Sequence, residues 1–153
     1  MCLICKPTTK FRKTKKEIVA YKVVMRKKSA PKAVSFLTPY KYKEVELGVH
    51  YTDKFEVETH STFIGSNYYK EPVLTAIEGG VFHLFKRYKD ALKMYNENKI
   101  LYKDTEIPFI LKAVIPKGSS VIEGVSYVGN KSDFSPCIGT TDVIYTEVVE
   151  GKE

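Results

Sequence analysis

Gly79-Gly80-Val81-Phe82-His83-Leu84-Phe85, running on into residues 86–98, is the stretch whose reading decides the fold. The glycine pair permits a tight turn or positive φ. Four apolar residues then surround one histidine. Beyond them Tyr88, Ala91, Leu92 and Tyr95 stand at i, i+3, i+4 and i+7, the period of a helix with one apolar face. The spacing predicts a helix over 87–98, with Lys86, Lys89, Asp90, Lys93 and Glu97 on its solvated side. It is the best helix candidate in the chain, and β-like runs lie on both sides of it.

Upstream, residues 73–77 and 81–85 are apolar runs separated by Glu78-Gly79-Gly80, which predicts a tight hairpin. Residues 17–26 form a β-branched and aromatic run broken only by Lys22, as in a mostly buried strand. A short strand over 33–37 is stopped by Pro39. Residues 40–47 then alternate polar and apolar, the period of a half-exposed strand. Residues 50–72 hold no sustained period and read as loops with a short strand or two.

Downstream, Phe109, Leu111, Ala113 and Ile115 share one face of a strand, and Pro116-Lys117-Gly118-Ser119 is a turn. Residues 121–125 are expected to return antiparallel to that strand. Residues 126–140, with Gly129, Asn130, Ser132, Pro136 and Gly139, read as loop, and 142–149 as the last strand. The sum is an α+β chain: a β-rich, mostly antiparallel sheet of six to eight strands packed with one main helix. Residues 1–16 are expected to be a basic flexible arm, and 17–150 a single domain.

Composition narrows the class. At 153 residues the chain suits one domain with a proper core, and 43% hydrophobic content is ordinary for a globular protein. No apolar run approaches membrane-spanning length. The N-terminus lacks the apolar core of a secretory signal, so a cytoplasmic location is expected. Cys2, Cys5 and Cys137 are an odd count and no disulfide framework. The Cys2–Cys5 spacing is half of a zinc motif. His50, His60 and His83 are scattered, so no metal site is assigned.

Charge is unevenly spread. Residues 1–32 hold eleven of the 25 Lys and Arg against the single acid Glu17, a net +10, while the rest nets −3. Such a segment attracts phosphate, in nucleic acid or in a nucleotide ligand. Tyr21 beside Lys22, Tyr40 and Tyr42 among Lys41 and Lys43, and Tyr68-Tyr69-Lys70 each pair a ring with a cation. Rings stack bases and cations hold phosphates. His83 alternates with Phe82 and Leu84, so it faces a groove or solvent if those two face the core. No nucleophile elbow, P-loop, dinucleotide fingerprint or zincin motif is present. Glu123 and Glu147 are the carboxylates on predicted strands.

Several short elements carry a resemblance: Ala20-Tyr21-Lys22-Val23-Val24, Gly80-Val81-Phe82-His83-Leu84-Phe85, and Ile110-Leu111-Lys112-Ala113-Val114-Ile115-Pro116-Lys117-Gly118, with Glu123-Gly124. Together they look like a group of short uncharacterised proteins of gut anaerobes, their mobile elements and phages. A looser layout similarity is to ADP-ribosyltransferase-like folds. That resemblance implies an NAD-using enzyme, with Lys22 standing where arginine or histidine is usual and Glu123 or Glu147 as the glutamate.

The reading these features support is a non-enzymatic binding protein without a cofactor. It would take an anionic nucleotide-type small molecule, as a phage or mobile-element protein sequestering a host signalling nucleotide would. Tyr21, Lys22, His83 and Lys117 are the expected ligand-binding residues. The alternatives are the ADP-ribosyltransferase-like enzyme and a nucleic-acid-binding protein that uses the basic N-terminal segment. No membrane partner is expected, and a homo-oligomer is left open.

Overall fold

The computed structural model describes residues 3–5, 9–39, 42–53, 58–62, 73–77, 82–127 and 134–151. The described elements begin with β1 (Leu3–Cys5), β2 (Arg12–Lys13), β3 (Ile18–Lys27), β4 (Phe36–Leu37) and β5 (Glu44–Val45). Next come β6 (His50–Thr52), β7 (Glu58–Thr62), β8 (Val73–Ile77) and β9 (Phe82–Phe85). The helix α1 (Tyr88–Leu101) is followed by β10 (Glu106–Ile115), β11 (Ser120–Tyr127), β12 (Phe134–Thr140) and β13 (Asp142–Glu150).

The longest ladder joins β3 to β10, from Ile18 opposite Ile115 to Lys27 opposite Glu106. Both strands are dense in β-branched and aromatic side chains, which suit a surface buried on both sides. Around this pair the sheet runs β6-β13-β10-β3-β9-β12-β11-β1-β8-β7, with β2 on β11, β4 on β3 and β5 on β4. That path has ten strands, more than the six to eight expected. The α+β class, the antiparallel pairing and the covering helix stand as read from the sequence.

Alternation divides the side chains between two cores. One contains Ala20 and Val24 of β3, Leu111 and Ala113 of β10, Tyr145 of β13, Leu84 of β9, Ile138 of β12 and Val121 of β11. On the sheet path β13 and β11 are five steps apart, roughly 24 Å if the sheet were flat. Sharing one core requires the sheet to curl around it. The second core lies on the opposite face, where Ala91 and Tyr95 of α1 meet Val23, Phe85, Ile110, Ile122 and Cys137. The helix therefore covers the outside of the curl, on the apolar face read from its period.

Several connections differ from the local reading. β8 pairs with β1 and β7, whereas β9 pairs with β12 and β3, so the expected hairpin between them does not form. Its glycine turn, residues 78–81, lies outside the described residues, as do 54–57 and 63–72. β11 does not return along β10 either. The turn at 116–119 carries the chain to another part of the sheet, where β11 pairs with β12, β1 and β2.

β12 itself falls in the stretch read as loop. Ser135, Pro136 and Gly139 resemble turn residues, yet Cys137 and Ile138 are fully buried between β9 and β11. Within residues 1–16 two short strands form, β1 and β2, and Leu3 and Cys5 of β1 bury their side chains in the outer core. Asp90, placed on the solvated side by helical period, is buried and held in two hydrogen bonds by the Arg87 guanidinium.

Candidate functional site

The four residues expected to share a ligand cleft are placed in different surroundings. Tyr21 is on the helix side of β3, where its ring meets Tyr88 edge-on with 5.6 Å between centroids. Lys22, one residue on, alternates to the other face with Ile18, Ala20 and Val24. His83 is half-buried, on the face of β9 opposite Phe82 and Leu84. Lys117 is exposed in the turn after β10. Lys112, the cross-strand partner of Tyr21, is three residues from the end of β10, roughly 10 Å of strand.

Only Lys22 and His83 meet, and they do so through the main chain: Lys22 Nζ donates to the His83 carbonyl oxygen at 2.9 Å. Burial pushes the Lys22 ammonium down to about 8, against a smaller opposing pull from the Cys137 side chain. Ring and cation do not form one stacking pocket.

A second arrangement is built around Thr14. Its amide donates to Ser119 O at 3.0 Å, its hydroxyl to Pro116 O at 3.1 Å, and its carbonyl accepts from Gly118 N–H at 2.9 Å. Thr14 is buried, and Gly118 takes φ +85°, the left-handed conformation that glycine adopts freely. Beside it Lys13 pairs with Ser120 and Arg12 with Val121. The basic segment is thus fastened to β11 and to the turn that carries Lys117.

The result is a band of exposed cations at one end of the sheet: Arg12, Lys13, Lys15, Lys16 and Lys117. Glu123 lies beside it but is shared by Lys86 Nζ at 2.5 Å and Arg12 Nη2 at 3.8 Å. One carboxylate between two cations leaves the local field positive. Lys117, read from sequence as a ligand contact together with Tyr21, Lys22 and His83, belongs to this group. Sequence showed the charge of the segment but not its neighbour, because Thr14 and Pro116 are 102 residues apart.

The remaining candidates have other partners. Glu147 is paired with Lys112 at 3.1 Å. Cys5 and Cys137 are buried free thiols raised by burial to about 11 and about 12, so neither is a ready thiolate ligand at neutral pH. Cys2 lies outside the described residues, as do Tyr40, Lys41, Tyr68, Tyr69 and Lys70. Among the described residues no group of three or more His, Cys, Asp or Glu converges to hold a metal ion. No helix among them is long and apolar enough to cross a membrane.

One polar cluster had no sequence signal. Asp142 accepts the Thr141 hydroxyl at 2.8 Å and meets His50 Nε2 at 3.1 Å. It ties the edge strand β6 to the start of β13. Comparison with protein-family models, characterised proteins and solved structures found no match.

Proposed function

We propose that the protein binds the sugar-phosphate backbone of nucleic acid on the cationic band formed by Arg12, Lys13, Lys15, Lys16 and Lys117. The observation that carries this reading is the anchoring of Thr14 to the 116–119 turn, which sets the segment bearing the exposed Arg12, Lys13, Lys15 and Lys16 beside the turn that bears Lys117. Cations held by a sheet lose less freedom on binding than cations on a free arm. Phosphate contacts give affinity without demanding a base-reading pocket. The small-nucleotide reading needs Tyr21, Lys22, His83 and Lys117 in one cleft, and their separation in the fold favours the backbone reading over it.

The test is fluorescence anisotropy with a labelled oligonucleotide. Replacing Lys13, Lys15, Lys16 and Lys117 together by alanine should weaken binding by roughly ten-fold or more at moderate salt. Alanine at Lys89, Lys99 and Lys103, exposed on or just after the helix, should leave it unchanged. Equal loss from both sets would contradict the assignment. Displacement of the oligonucleotide by a mononucleotide at comparable concentration would instead return the reading to a small ligand.

A further inference from the structure

The three large apolar side chains most exposed among the described residues are Ile100 at 76%, Val34 at 75% and Leu101 at 71%. Ile100 and Leu101 end α1, and Val34 stands in the connection from β3 to β4. The fold brings those two places together. Lys28 N–H donates to Thr105 O at 2.9 Å and Thr105 N–H to Tyr102 O at 3.1 Å, which ties the turn after α1 to the end of β3. Arg26 holds the connection in turn. Its guanidinium donates to Pro31 O at 3.4 Å and lies 4.1 Å from the centre of the Phe36 ring.

The same end carries the exposed Lys27, Lys28, Lys32, Lys99 and Lys103. The acids among them are Glu97, half-buried, Asp104, exposed, and Glu106, buried opposite Lys27. The local charge is therefore positive. It is also remote from the cations about the 116–119 turn, because Lys27 faces the first residue of β10 and that turn follows the last.

We propose that this end of the molecule docks on an anionic lipid surface, with Ile100, Leu101 and Val34 entering the interface and the five lysines on the headgroups. The combination selects the occupant. Cations alone would suit a nucleic-acid backbone, and apolar side chains alone a dry protein partner. Affinity for a charged bilayer surface scales with apolar area buried plus attraction to anionic lipid, and this end supplies both. Side chains more than two-thirds exposed project outward rather than line a groove, and a fluid interface accepts them without a matching cavity. No membrane-spanning segment is required: α1 has 14 residues and is not apolar enough to cross, so the protein would lie on the bilayer.

The chain contains no tryptophan, so Leu101→Trp in the full chain gives a single reporter. Vesicles of phosphatidylcholine with about one-third phosphatidylserine should shift its emission to the blue, and brominated acyl chains should quench it. Phosphatidylcholine alone should do neither, and a Lys117→Trp reporter should stay unshifted. In vesicle flotation, alanine at Lys27, Lys28 and Lys32 together should weaken binding roughly a hundred-fold, at about five-fold per lysine. Ile100→Ser with Leu101→Ser should weaken it as well, although no charge changes. Every substituted side chain is exposed, so the core is left intact. A tryptophan at 101 that stays in water, or a shift that Lys117→Trp matches, would overturn the proposal. So would a protein that ignores vesicles and binds polyglutamate through the same residues, which would make the partner an acidic protein.

Discussion

Lys22 is where the fold carries its clearest electrostatic cost. An ammonium removed from water without a carboxylate beside it opposes folding while it stays charged. The unfolded chain holds this proton up to about 10.5 and the folded chain only to about 8, so between those values the unfolded state binds more protons and folding gains stability as pH rises. Lys22→Met removes the titration. The stability of wild type relative to Lys22→Met should therefore rise between pH 8 and 10.5, by up to about 3 kcal/mol. Chemical denaturation of both proteins across that range measures it, and a flat difference would show that the amine is not desolvated. Taking the difference also removes the buried thiols and tyrosines, which are raised and so act in the opposite sense over alkaline pH.

Thr14 and Gly118 are the residues on which the cationic band depends. Gly118 has open space where a Cβ would stand, so Gly118→Ala tests backbone conformation alone and should cost about 1 kcal/mol. Thr14→Val keeps the shape but leaves the Pro116 carbonyl with the Ser119 hydroxyl as its side-chain donor. We expect a loss of about 1 kcal/mol in stability from this change, read by urea denaturation. A loss in oligonucleotide affinity should accompany it, although no cation has been removed.

At the scale of elements, β3 and β10 hold the molecule together. Leu111 is fully buried in the inner core opposite Lys22, so Leu111→Ala should cost about 2–5 kcal/mol as transfer and cavity terms add. These two strands, β13 and α1 were legible because each carries its own period over many residues. β12 was not. Its Pro136 and Gly139 signal a break locally, and only the partners β9 and β11, supplied from elsewhere in the chain, make it a strand. Turn residues likewise showed where the chain bends at 116–119 but not which strand it would join. A turn fixes local φ and ψ, while pairing is settled by which apolar faces the whole sheet can bury.

For the whole molecule, the uneven charge was legible and its placement was not. A run of lysines reads alike on a free arm and on a sheet, and the contacts that separate the two cases link residues about a hundred positions apart. Tyr21, Lys22 and His83 misled for a related reason. Adjacent residues on a strand point to opposite faces, so a ring and a cation next to each other in sequence are parted by the pleat. What the fold does assemble is a group of five exposed cations about the 116–119 turn, while Arg26, Lys27, Lys28 and Lys32 of the same basic segment stand at or beyond the other end of β3. The most direct test is the salt dependence of oligonucleotide binding. Five cations on five phosphates of a duplex predict log K falling against log salt with a slope of about −4 to −5, and alanine at Lys13, Lys15, Lys16 and Lys117, which leaves Arg12, should bring that slope to about −1. A wild-type affinity that does not change with salt, or a slope the four alanines leave intact, would contradict the account.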